Sequence, residues 1–196
     1  MWERGFAILE TISRRAVYVA GIALLIAAVL VTVDVICRKF LSLTVSGSDE
    51  ISGYVFAAGT TWAFSYALLN RSNVRIDVLY NLMPIWAKAL LDIVGIILLL
   101  TYMGIQTNLA IGTFIESWEQ NSTAVTTLLT PLWIPQLFWV AGLVLFMITL
   151  IFVAAFSISR LIVGDMAGIN KVAGVLSVDE EVQAELSGRD AKRETA

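Results

Sequence analysis

The chain has 196 residues, 58% hydrophobic and only 15% charged, with 13 lysines and arginines against 16 aspartates and glutamates. A mean hydropathy of +0.82 and a charged share well below the ~25% of soluble proteins describe an integral membrane protein with no room for a separate soluble domain. The net charge of −3 comes without a dense basic patch for nucleic acid, and the absence of histidine excludes bis-histidine haem and Ser-His-Asp hydrolysis.

The N-terminal segment, 1–15, carries Arg4, Arg14 and Arg15 ahead of a long apolar run. That run outlasts the 7–15-residue apolar region of a signal peptide, so a retained first helix is expected at about 16–37. Asp34 and Arg38 stand four apart near its end, on one helical face. A carboxylate there costs a few kcal/mol unless paired or hydrated. A helix-end ion pair or subunit contact is the favoured reading, and a proton or cation site of a small transporter is the alternative.

A second helix is expected at about 51–69, nineteen residues without a charge. Asp49 and Glu50 precede it, where acidic groups are favoured by the helix dipole, and Ser46 or Ser48 is expected as the N-cap. Glu50 could equally accept a cation or an arginine from a partner. Gly53, Ala57, Ala58, Gly59 and Thr61 supply small residues for close helix approach. Trp62, deeper in the span, is expected to pack against another helix or face lipid.

The connection 70–84 places Val74, Val78 and Leu82 at helical spacing beside a stripe of Asn73, Asp77 and Asn81. A short interfacial helix or a polar loop fits that pattern. A third helix is expected at about 85–115, after Pro84, with Lys88 and Asp92 forming a helix-end ion pair in which lysine snorkels to water. Its charge-free part, 93–115, would be ~35 Å long, enough to tilt or project from a bilayer core of ~30 Å.

No charge occurs from 120 to 159. A loop is expected over 120–131, then a fourth helix at about 132–159 with Pro131 and Pro135 where a helix start tolerates them. Trp86, Trp118 and Trp133 fall near helix ends, as interfacial anchors do. The membrane domain is thus 16–164, and 165–196 reads as a polar, disordered tail.

Basic residues set the expected orientation. Arg4, Arg14, Arg15, Arg71, Arg75, Lys88, Arg160 and Lys171 fall on one side, against Arg38 and Lys39 on the other. The expectation is an all-α protein with four transmembrane helices and both termini in the cytoplasm.

Several features then line up in order: Asp34 with Arg38-Lys39-Phe40, Asp49-Glu50, the run Arg71-Ser72-Asn73-Val74-Arg75-Ile76-Asp77, Leu82-Met83-Pro84, Ser117-Trp118, and Thr130-Pro131-Leu132-Trp133-Ile134-Pro135. Over roughly 16–164 this resembles the small membrane subunit, DctQ, of tripartite ATP-independent periplasmic (TRAP) transporters. The resemblance implies a secondary importer of organic acids in the bacterial inner membrane, typically sodium-driven. Its partners would be a large permease subunit and a periplasmic substrate-binding protein, in a bed of membrane lipids. The small subunit would scaffold the large one.

The resemblance implies no enzymatic activity, cofactor or metal. It marks Arg38, Glu50, Arg71, Arg75 and Asp77 as structural or subunit-contact residues, beside Asp34, Trp62 and the Lys88–Asp92 pair. Two departures stand out: the tryptophan that often precedes the acidic pair is missing, and Arg75 stands where many members have histidine. A free-standing oligomeric proton-coupled transporter, or a membrane anchor of another complex, is the competing assignment.

Overall fold

The computed structural model describes residues 2–44, 46–71, 83–126 and 128–164. Among them lie four long helices: α1, Trp2–Leu41; α2, Ser48–Leu69; α3, Ile85–Glu119; and α4, Trp133–Val163. The described residues form no strand, only an isolated bridge between Thr123 and Pro131. Arg75, Asp77 and the expected interfacial helix over 70–84 lie largely outside the described residues, as does the tail 165–196.

Three helices, α1, α3 and α4, are long and apolar enough to cross a membrane. This differs from the four spans expected. The reason is local: α2 intersperses its apolar residues with Ser52, Gly53, Gly59, Thr60, Thr61 and Ser65. Several of these turn inward, since Gly59, Thr61 and Ser65 are buried.

Every helix is longer than its expected span. At 1.5 Å per residue the 40 residues of α1 extend about 60 Å, twice a bilayer core. Expected starts at Pro84 and Pro131 hold: Pro84 is the N-cap of α3, and Leu132 is that of α4. α4 ends at Gly164, whose φ of 76° gives the left-handed cap that glycine adopts without strain.

The N-cap of α2 departs from expectation. Gly47 takes that place with φ 88°, no side chain caps the helix, and Ser48 is already inside it. A turn with positive φ favours glycine. Space also demands it, because a Cβ on Gly47 would lie 2.0 Å from Leu128.

The helices run up and down, with α4 packed between α2 and α3, and α1 against the far side of α2. One end of the bundle, the terminal end, holds the start of α1 and the finish of α4. The opposite, loop end holds the 42–47 and 120–132 connections. The core is mainly the α3–α4 seam: Ala89, Ile93, Ile96 and Met103 against Leu143, Phe146, Leu150 and Val153. Small side chains on the buried stripe of α1, Ser13, Ala16 and Ala27, leave room for α2. Gly59 of α2 accordingly sits against Ala20 and Leu24, where an added Cβ would meet Leu24 at 3.4 Å.

Candidate functional site: polar groups at the bundle ends

Asp34 is fully buried although it belongs to a helix long and apolar enough to cross a membrane. It continues the stripe by which α1 faces α2. Spacing of four brings Arg38 onto the same face, and Arg38 Nη2 donates to Asp34 Oδ2. The Arg38 side chain is half exposed, so its head reaches water while it neutralises the carboxylate. The antiparallel register set at Gly59 carries Asp34 level with the first turn of α2. The positive end of that helix favours a nearby anion.

Glu50 stands on that first turn, just ahead of the uncharged stretch 51–69. Tyr54 Oη, four residues on, donates to Glu50 Oε1 at 2.7 Å. The nearby hydroxyls of Thr126 and Tyr54, and more weakly that of Thr130, hold the Glu50 carboxyl below its ordinary value of 4.5 against a weaker cost of desolvation, while Glu50 Oε2 is buried with no hydrogen-bond partner among the described residues. Both threonines come from the 120–132 connection. That connection folds back on itself through Ala124 N–H to Thr130 O at 2.9 Å and Leu132 N–H to Ser122 O at 3.0 Å. With Leu128 seated on Gly47, the two loops of this end form one layer over the start of α2.

Trp62 lies between the ends. Its Nε1–H donates to the backbone carbonyl of Phe138 on α4 at 2.8 Å. Gly142 makes that reach possible, because a Cβ there would lie 2.3 Å from Thr61 Oγ1 and 2.7 Å from Trp62 Cδ1. Trp62 therefore packs against another helix and satisfies its polar atom there. Trp139 packs against the core.

At the terminal end, Asp92 is buried on α3, with Lys88 one turn earlier and half-buried. Arg71 follows α2 in the left-handed region at φ 53°. The expected residues thus divide: Asp34, Arg38 and Glu50 at the loop end, Arg71, Lys88 and Asp92 at the terminal end, and Trp62 between. They do not converge on one chamber, and the described residues hold no group of three or more Cys, Asp or Glu spaced for a metal.

A family model described as tripartite ATP-independent periplasmic transporters, DctQ component, matches residues 13–161. The chain belongs to the DctQ family. DctQ proteins are the small permease component of TRAP transporters, and this member is a membrane protein with three membrane-capable helices. Neither the curated proteins nor the solved structures include a match.

Sequence reasoning on this DctQ protein missed four things. Tyr54 meets Glu50 one turn along the same helix, whereas Thr126 and Thr130 come near it only through the loop's fold. Gly142 was a visible signal, since an isolated glycine inside an apolar helix marks close approach. Of the small-residue set on α2, Gly59 and Thr61 make contacts within the chain, whereas an added Cβ on Gly53 would meet nothing within 4 Å. Finally, Trp2 and Phe6 of α1 meet Phe152 and Phe156 of α4 with ring centroids 5.0 to 5.6 Å apart, and Arg160 lies 5.0 Å from the Phe156 ring.

Proposed function

We propose that this DctQ protein is the non-conducting scaffold subunit of a sodium-coupled TRAP importer of organic acids in the bacterial inner membrane. It holds a large permease subunit in place and presents its loop end to a periplasmic substrate-binding protein. The supporting observation is the distribution of charge: the one buried carboxylate of α1, Asp34, is neutralised by Arg38 of the same helix. A coupling carboxylate must exchange its ion or proton during the cycle, and a built-in arginine opposes that exchange. The polar residues also sit at the two ends of the bundle rather than around a midplane chamber of the kind ion-coupled carriers use.

In this reading α2 is a fourth span. Its nineteen uncharged residues, 51–69, and its place between α1 and α4 support that role. The termini lie in the cytoplasm, supported by Arg4, Arg14, Arg15, Arg71, Lys88 and Arg160 at the terminal end. Lys88 and Asp92 pair at that end.

The test is reconstitution. Liposomes carrying the large permease, with binding protein and labelled organic acid outside, should take up substrate only when this subunit is present and sodium is imposed inward. Uptake without this chain, or uptake by this chain alone, would overturn the assignment.

A further inference from the structure

Three hydroxyl side chains on three different helices are completely shut off from solvent. They are Ser13 of α1, Ser65 of α2 and Thr149 of α4, each with 0% exposure. A serine or threonine inside a helix commonly turns its hydroxyl back to the carbonyl one turn earlier. Thr149 does so, donating to Leu145 O at 2.9 Å, as Thr11 and Ser157 do on their own helices. Ser13 Oγ and Ser65 Oγ do not, and neither has a hydrogen-bond partner among the described residues.

The helix contacts bring these three hydroxyls to one level. α1 and α2 run antiparallel, with Ala20 against Gly59. Towards the terminal end, Ser13 lies seven residues from Ala20 and Ser65 six from Gly59, about 10 Å along either helix. α2 and α4 run parallel, with Thr61 against Gly142. From that contact Ser65 is four residues on and Thr149 seven, a difference of about 4.5 Å along the axis.

Spacing also sets their faces. Seven residues make two turns, so Ser13 shares a face with Ala20, which meets α2. It shares the same face with Phe6, whose ring meets Phe152 and Phe156 of α4. Thr149 lies on the face of Gly142, and Ser65 stands one turn after Thr61, which Gly142 abuts. The three hydroxyls thus point into the junction of α1, α2 and α4.

A buried hydroxyl left without a partner is costly, because it has given up its bonds to water. Thr149 spends its proton on Leu145 and keeps its oxygen as an acceptor, whereas Ser13 and Ser65 each offer a proton and lone pairs. A buried water makes about three hydrogen bonds, and this set supplies that number. All three groups are neutral, and Arg14 beside Ser13 is exposed. An ion would find no counter-charge among them.

We propose that Ser13, Ser65 and Thr149 form a binding site for a single water molecule, which bridges α1, α2 and α4. Lipid tails are as apolar as leucine, so apolar packing alone gives a helix little preference for protein over bilayer. A shared water gives the first third of α1 a directional hold on the other two helices.

The experiment is X-ray radiolysis of the full chain in mild detergent, where hydroxyl radicals formed from a bound water label the side chains beside it. Phe146 and Phe156 are similarly buried, at 5% and 7% exposure. Phe146 packs on Phe64, next to Ser65, and stands one turn from Thr149. Phe156 lies at the terminal end. Labelling of Phe146 should exceed that of Phe156 at least fivefold, and should fall to the Phe156 level in Ser65→Val, whose methyl groups fill the site.

Equal labelling of the two phenylalanines in the unaltered chain overturns the proposal without recourse to any variant. Thermal unfolding of Ser13→Ala, Ser65→Ala and the double variant supplies a second reading. Their losses should be less than additive, since either change breaks the same bridge. Additive losses overturn the shared site. Coupled losses without Phe146 labelling mean that the serines bond each other directly, which overturns the water.

Discussion

Asp34 and Arg38 are unequal partners, and that inequality is measurable. Asp34 is wholly buried and Arg38 half exposed. Arg38→Ala leaves a buried carboxylate with one cation fewer, whereas Asp34→Asn leaves an arginine that can turn to water. The expected loss is about 2–3 kcal/mol for Arg38→Ala and about 1 kcal/mol for Asp34→Asn, read from thermal unfolding in mild detergent. Equal losses would mean that the carboxylate draws no net stabilisation from Arg38. Glu50 gives a pH signature. Its carboxyl is held below 4.5, so the contact with the 120–132 connection is fully stabilising above that value. It weakens as the pH falls through the lower, folded-state value. Proteolysis or hydrogen exchange in that connection should therefore rise on acidification, and Glu50→Gln should flatten the dependence.

Helix pairing in this bundle rests on positions where a side chain is missing. Gly142 lets α2 and α4 close until Trp62 reaches the Phe138 carbonyl at 2.8 Å. Gly142→Ala forces a Cβ to within 2.3 Å of Thr61 Oγ1, so both Thr61 and Trp62 must move. The expected cost is about 2 kcal/mol from overpacking. Trp62→Phe should cost about 1 kcal/mol, since it forfeits only the cross-helix hydrogen bond. A double variant less destabilised than the sum would show that the two act at one contact. The same logic applies at the terminal end, where Gly5 faces Phe152 at 2.3 Å from an added Cβ. Gly5→Leu should detach the start of α1, detected as faster protease cleavage within residues 2–15, while the α3–α4 seam stays protected.

For the molecule as a whole, orientation is the testable quantity. Val125 is fully exposed at the tip of the 120–132 connection, and Arg4 is exposed at the terminal end. In a Cys37→Ser background, Val125→Cys should react with a membrane-impermeant maleimide in spheroplasts. Arg4→Cys should react only after permeabilisation. The reverse pattern would invert the orientation argued from arginine and lysine placement. The long uncharged stretch 120–159 supplies a loop and a helix. That loop faces its surroundings with Val125, Leu128 and Leu129 rather than with charge.

Composition and charge spacing alone determined the membrane class, and proline placement marked the helix starts after Pro84 and Pro131; the DctQ family was legible only as a resemblance carried by an ordered set of short motifs. Spacing of four was also enough to predict the Asp34–Arg38 pair, because one helix dictates both positions. What depended on two elements meeting was settled only by the tertiary structure. Gly47 displaced the serine caps because Leu128 occupies the space a side chain would need. Glu50 gained threonine hydroxyls as neighbours from a loop some eighty residues away in the chain, and Trp62 gained a backbone acceptor on α4. Local periodicity dictates which way a side chain points along its own helix, whereas its neighbours across the bundle follow from the packing of the other three.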